Sequence, residues 1–376
     1  MTASFPCPCD ASRAAAQRSR GARHPQWTLF AAILASSLAF VDGSVVNVAL
    51  PSIARSFNST AAELQWTINA YLLPLSALLL VGGAAGDRFG CRRILLLGIG
   101  LFLLASIACA LAPGAATLLA ARALQGVGAA MLMPNSLAVV GIAFSGEAKG
   151  KAIGAWAAIG AIASAAGPPL GGWLIDAIGW RSIFFVNVPI GAAAMIVTWA
   201  YVDEGGQDGQ PIDAIGAALV TLALGALTWS LTLWSNQHGA SATVWIGLIL
   251  GLSLLVGFLR VERARGEAAM MPLTLFGSTG FAGLTALTFL LYGALGGLLV
   301  LLPYLLIEVG HYSPFEAGLA LLPFPLVIGI ASRAIGGMTM RLGPKWPLGV
   351  GPIVAGMGFA LFQWIDPATS YVRGVL

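Results

Sequence analysis

Two charges of opposite sign stand deep inside apolar runs of this chain. Asp42 lies in "LAFVDGSVVNVALP" (38–51), and Arg122 lies in "LLAARALQGVGAA" (118–130). A charge kept in such surroundings marks an ion path, a proton relay or a buried pair. Asp42 is nine residues before Pro51, and Arg122 is nine residues after Pro113. With a helical rise of about 1.5 Å per residue, both sit roughly 13 Å from the same side of the apolar layer. Equal depth predicts that they meet. An acid facing an arginine in a dry interior can take and release a proton when its access to water switches. The same two residues also suit a permanent structural pair. Gln125 follows Arg122 by three residues and shares its helical face, where it either orients the guanidinium or bonds between helices. Asn47, Trp66, Asn69 and Gln125 are candidates for a substrate cleft, with Tyr71 beside them. Against that stand ordinary roles, helix–helix glue for the amides and an interfacial belt for Trp66. Asn135 and Ser136 read as glue.

These residues need elements to hold them, and the composition says which. The chain has 376 residues, of which 58% are hydrophobic and 9% charged, with a mean hydropathy of +0.87. A soluble domain carries about 25% charged residues. Apolar runs near 20 residues recur along almost the whole length, as spanning helices require. We read an all-α polytopic membrane protein with eleven spans, near 27–50, 64–86, 94–112, 115–143, 151–175, 182–202, 212–234, 243–260, 279–307, 315–338 and 347–365. With the N-terminus inside, 14 of the 19 basic residues fall on the inner side, among them Arg13, Arg23, Arg88, Arg92, Arg93, Lys149, Arg260 and Arg265. The positive-inside rule then places the N-terminus in the cytoplasm. The net charge of +4 thus reflects membrane topology, and no nucleic-acid partner is expected. The acidic inner loop "YVDEGGQDGQPID" (201–213) runs against the trend. Residues 1–26 carry four arginines and no apolar core, so they read as a cytoplasmic tail. Cys7, Cys9, Cys91 and Cys109 form neither a disulfide framework nor a zinc pattern, and Cys91 falls in a short loop. His24, His238 and His311 lie in loops and receive no role. No metal site is expected. No G-x-x-x-x-G-K-[ST] run is present, so an ATP-driven pump is excluded.

The densest charge lies in "GGAAGDRFGCRRIL" (82–95), read as a tight inner turn over 87–93. Glycine permits the reversal and the arginines face headgroups, but Asp87 needs another reason. The passage returns 253 residues later as "GGMTMRLGPKWPL" (336–348), with Met340 in place of Asp87. Helices repeated around such a turn indicate a secondary transporter. In the second copy Arg122 maps to Val375, so three further helices are expected beyond Leu376. Arg333 reads as a snorkelling residue.

Several segments together resemble the major facilitator superfamily, specifically its fourteen-span drug/proton antiporter subfamily. The passage 83–95 is similar to the loop motif G-x-x-x-D-R-x-G-R-K through Gly83, Asp87, Arg88, Gly90 and Arg92, with Cys91 replacing a basic residue. "LLAARALQGVGAA" is similar to the span-four motif. "GPPLGG" (167–172) resembles the span-five antiporter motif through Gly167, Pro168, Gly171 and Gly172, with Ala163 replacing the leading Gly. "VDGSVVNVALP" (41–51) and "GWRSIFFVNVPIG" (179–191) also fit the pattern. The resemblance implies a six-helix bundle at 27–202, a two-helix insert at 203–270 and a partial second bundle at 271–376, with the last three of fourteen spans missing. It implies that Asp87 latches to a helix of the second bundle, where a helix N-terminus favours an anion, and that the Gly-Pro helix seals against leak.

The expected protein is therefore a monomeric transporter of the plasma or inner membrane, not an enzyme. It would export hydrophobic or cationic organic compounds by alternating access, use a proton gradient and no cofactor, and couple the proton at Asp42 and Arg122. The alternative is a truncated, non-transporting membrane protein or a scaffold.

Overall fold

The computed structural model describes residues 23–204, 213–237, 241–266, 271, 273–324, 327, 331 and 345–361, and over these the chain is helical without strands. The helices are α1 (Pro25–Phe57), α2 (Ala61–Phe89), α3 (Cys91–Ala110), α4 (Ala115–Ala143), α5 (Gly146–Ala177), the short α6 (Ser182–Phe185), α7 (Asn187–Tyr201), α8 (Ala214–Gln237), α9 (Ala242–Arg265), α10 (Thr279–Glu308), α11 (Pro314–Ala320) and α12 (Lys345–Leu361). An apolar solvent leaves helices as the way to satisfy every backbone group, and the sequence supplies the signals that bound them. Thr60 and Glu63 exchange hydrogen bonds with each other's backbone to open α2, and Ser313 and Glu316 do the same for α11. Pro51, Pro74, Pro134, Pro168 and Pro169 lie inside helices, as membrane helices tolerate.

Nine spans among the described residues are long and apolar enough to cross a membrane, counting α6 and α7 together. They match the first nine expected spans. The tenth, expected at 315–338, is described mainly through α11, and Arg333 lies outside the described residues. So does the second copy of the turn up to Pro344. The eleventh is α12, which has 17 residues. One expectation needs correction at the first turn. Helix α2 continues to Phe89 and α3 starts at Cys91, so the seven-residue turn is reduced to Gly90 alone. Cys91 is a buried helical residue rather than a loop residue. Gly90 has φ 102°, a region that side chains with a Cβ rarely adopt, so a single glycine can reverse the chain.

Burial sorts the helices. Over half of the apolar window of α1, α3 and α4 is enclosed (61%, 56% and 56%), against 17% for α2 and for α5. The first three therefore form the interior of the first bundle. Two apolar cores stack along it. One, at the end where α1 begins, joins Leu38, Leu95, Phe102, Leu132 and Val140. The other, at the end where α1 finishes, joins Val45, Ile53, Leu118 and Phe184 to Leu302 and Leu306 of α10 and Ala317 of α11. Helices α10 and α11 thus dock on the earlier helices at one end, while residues 281–296 of α10 are largely exposed. The hairpin of α8 and α9 packs on α2 through α8.

Candidate functional site

Between the two cores lies a polar cluster sealed from solvent. Asp42 of α1 and Gln125 of α4 are fully enclosed, and Arg122 is 1% exposed. The meeting predicted from equal depth occurs: Arg122 Nη1 donates to Asp42 Oδ2 at 2.5 Å. Gln125 serves both of its anticipated roles. Its Oε1 accepts from Arg122 Nη1 at 2.8 Å, and its Nε2 donates to Asp42 Oδ1 at 2.8 Å and to Ser106 Oγ at 3.0 Å. Asn187, at the start of α7, donates to Asp42 Oδ1 at 3.1 Å and to Ser106 Oγ at 2.9 Å. Ser106 Oγ in turn donates a hydrogen bond to the Phe184 carbonyl at 3.3 Å. Arg122 Nε donates to the Thr67 carbonyl at 3.2 Å, and the guanidinium lies 4.3 Å from the Tyr71 ring centre, within cation–π range.

Three donors thus converge on one carboxylate, and six helices, α1–α4, α6 and α7, supply the groups of the cluster. A buried charge pair persists when its remaining valences are filled in this way. One buried atom is left over: Asn187 Oδ1 has no hydrogen-bond partner. Ser106 and Asn187 were not singled out in the sequence. Their signal is weak but present, one hydroxyl within "GLFLLASIACA" and one amide within "FFVNVPIG".

The four cleft candidates do not form one surface. Gln125 belongs to the sealed cluster and Asn47 is 8% exposed, so neither lines an open cleft in this conformation. Trp66 and Asn69 are half-buried on α2. Asn135 acts as the expected glue, with Nδ2 donating to the Gly82 carbonyl of α2 at 2.8 Å.

The charged turn has a partner that the sequence reading treated as an exception. Glu204, from the acidic loop after α7, accepts the Arg92 backbone N–H at 3.2 Å and pairs with Arg93 at 3.4 Å. Arg92 Nη2 reaches the Trp199 carbonyl at 2.6 Å. Asp87 is exposed and has no hydrogen bond or ion pair with any described residue. Arg88 lies 5.5 Å from the Phe89 ring, and a Cβ added at Gly83 would meet only Pro134, at ordinary contact distance.

The Gly-Pro helix, α5, faces two ways. A Cβ on Gly167 or Gly171 would strike Ser44 or Val45 of α1. A Cβ on Gly172 would stand 2.5 Å from Phe315 Cα of α11, and Gly318 of α11 abuts the Pro168 backbone in return. Asp176 Oδ2 accepts the Phe315 N–H at 3.2 Å. Nearby, Arg55 at the end of α1 pairs with Glu308 at the end of α10 at 3.2 Å. Gly172 and Pro168 of this helix therefore join α5 to α11.

Comparison with known proteins agrees with this architecture. The chain is 38% identical over 349 residues to a multidrug resistance protein Stp of Mycobacterium tuberculosis, covering 91% of this chain and 64% of the relative. It is 33% identical over 338 residues to the drug efflux pump JefA of the same species, covering 89% and 66%. It is 33% identical over 335 residues to a methylenomycin A resistance protein of Streptomyces coelicolor, covering 89% and 70%. The fold is shared with a crystal structure of a peptide transporter POT in complex with sulfate, with a TM-score of 0.65 at 16% identity, covering 89% of this chain and 74% of that one. The model of the Major Facilitator Superfamily matches residues 32–375. The chain belongs to that superfamily, as a multi-pass membrane protein.

Proposed function

We propose that the protein is a proton-coupled exporter of hydrophobic or cationic organic compounds, of the fourteen-span drug/proton antiporter type. It works by alternating access in the cell membrane, with its N-terminus in the cytoplasm. The observation that carries this reading is the sealed Asp42–Arg122 cluster. Protonating Asp42 removes its charge and turns one oxygen into a donor, which weakens its hold on Arg122, Gln125 and Asn187. Those donors sit on α4 and α7, so one proton on α1 alters how three helices are tied. That is a means of biasing a two-state bundle.

The closed end supports the same account. Gly172, Gly318 and the Arg55–Glu308 pair shut the side where α1 finishes, which is the outer side under positive-inside orientation. The conformation is then inward-facing, with residues 27–202 as one rocking unit and 271–376 as part of the other. The names of the relatives, multidrug resistance and drug efflux, agree with an organic substrate, and the apolar helix faces suit a hydrophobic one. The protein spans about two thirds of those relatives' length.

The test is drug accumulation in cells that lack their own exporters. Cells with the protein should accumulate less of a cationic dye, and Asp42→Asn should restore accumulation at unchanged membrane abundance. Unaltered export by the Asp42→Asn protein would remove the coupling assignment. Failure of the unmodified protein to lower accumulation would favour a non-transporting scaffold.

A further inference from the structure

Where α8 begins and α9 ends, two carboxylates face each other with no donor between them. Asp213 immediately precedes α8 and is 4% exposed, and Glu262, in the last turn of α9, is fully enclosed. Two of their four oxygens are satisfied. Asp213 Oδ1 accepts the Gly216 N–H at 2.7 Å and Arg265 at 2.6 Å. Glu262 Oε2 accepts the Met271 N–H at 2.7 Å. The other two, Asp213 Oδ2 and Glu262 Oε1, are buried and accept from nothing. They point at the same spot. A Cβ on Gly216 would lie 2.6 Å from Asp213 Oδ2 and 2.7 Å from Glu262 Oε1, and after burial Asp213 is among the groups that push the Glu262 carboxyl up.

Two buried acceptors aimed at one another repel, and carboxylates sharing a site cannot both stay ionised at low cost. Arg265 cancels one of the two charges and leaves one in excess. Among the described residues, Asp213 and Arg265 are the charged groups acting on Glu262, and α2, which packs on α8, adds none. A proton between the free oxygens satisfies both and removes the surplus charge. A metal ion fits less well: hard cations take six or more oxygens, and only two are free here.

We propose that Asp213 and Glu262 form a proton-binding site in the α8–α9 hairpin, with one proton shared between Asp213 Oδ2 and Glu262 Oε1. Uptake leaves a neutral carboxyl hydrogen-bonded to a carboxylate that Arg265 neutralises, and release returns the proton to water. This site is separate from Asp42 and does not rest on the transport reading. Because burial and the neighbouring acid push the Glu262 carboxyl up in the folded chain, the stabilisation is fully present below the range of free carboxylates and is lost as pH rises through the folded titration of Glu262.

The experiment uses the full chain in lipid nanodiscs. Infrared pH-difference spectra should show a protonated-carboxyl band that persists above the pH range of free carboxylates and disappears on raising the pH further. The band should be absent in Glu262→Gln and retained in Asp42→Asn. In parallel, the melting temperature of the unmodified chain should fall as pH rises above the range of free carboxylates. Glu262→Gln, whose amide donates to Asp213 Oδ2 without titrating, should melt with a flatter pH dependence. An identical carboxyl band in Glu262→Gln would overturn the proposal. So would equal pH slopes for the two proteins. Sodium-dependent stabilisation at high pH that Glu262→Gln abolishes would replace the proton by a cation.

Discussion

Arg122 touches four helices from one guanidinium: Asp42 on α1, the Thr67 carbonyl and Tyr71 ring on α2, Gln125 on its own helix and the Phe184 ring of α6. A lysine there would keep the charge and lose the planar fork that makes this geometry. Arg122→Lys should therefore lower the melting temperature of the purified protein although the charge is conserved. Arg122→Ala should cost more, about 3–5 kcal/mol, because it leaves the Asp42 carboxylate buried without its counter-charge. Thermal unfolding in detergent reads both, and equal stability of Arg122→Ala and the unmodified protein would contradict a structural role for the pair. At this scale the sequence was informative wherever a charge broke an apolar run. Counting from Pro51 and Pro113 was enough to bring Asp42 and Arg122 together. Ser106 and Asn187 escaped notice because one hydroxyl or amide in a membrane helix is ordinary, and only the packing of α3 and α7 against α1 aims them at Asp42.

At the scale of elements, the α2–α3 connection depends on two features of Gly90. Its φ of 102° suits glycine, and a Cβ would also press into the Glu204 carboxylate. Gly90→Ala should destabilise the chain by about 1–3 kcal/mol. Glu204→Gln should cost less, about 0–1 kcal/mol, because Arg93 is 69% exposed and such pairs are screened. Chemical denaturation of the two variants side by side checks the order, and a larger loss for Glu204→Gln would contradict it. The α5–α11 contact is tighter still. Gly172→Val should overpack it by about 1–3 kcal/mol and drive the two helices apart. A cysteine at Ala317, now fully buried, should then react with a maleimide faster in the Gly172→Val background. An unchanged rate would mean that the contact is not a closed gate. Helix positions were legible in the sequence because lipid demands long apolar runs. Helix ends were less so, since the apolar pattern does not register that α2 runs on through Asp87 and Arg88 to Gly90. Nor does it register that Asp203 and Glu204 pack on the starts of α1 and α3, which is why the acidic loop looked like an exception.

At the scale of the molecule, charge and shape agree. Among the described residues, basic side chains collect at the end bearing the Gly90 turn, and Arg55 and Arg181 at the opposite end are occupied, Arg55 by Glu308 and Arg181 by the Ala112 carbonyl. Orientation can be read with an impermeant thiol reagent on intact cells, with Cys7 and Cys9 replaced by Ser while Cys91 and Cys109 stay buried. A cysteine at Leu111, which is 66% exposed, should label from outside, and one at Lys149 only after permeabilisation. The reverse pattern would invert the topology and with it the inward-facing assignment. The 253-residue repeat leads to the expectation of two bundles, but it does not say at which end α5 and α11 meet, because that contact depends on small residues rather than on hydropathy.

The measurement that bears most directly on the central claim is proton movement by the purified protein in liposomes carrying an internal pH dye. Adding a lipophilic cationic substrate should drive a proton flux in the opposite direction through the unmodified protein. Asp42→Asn should abolish that flux while still binding the substrate. Equal flux through Asp42→Asn, or substrate movement with no accompanying proton, would contradict the assignment of coupling to the buried Asp42–Arg122 cluster.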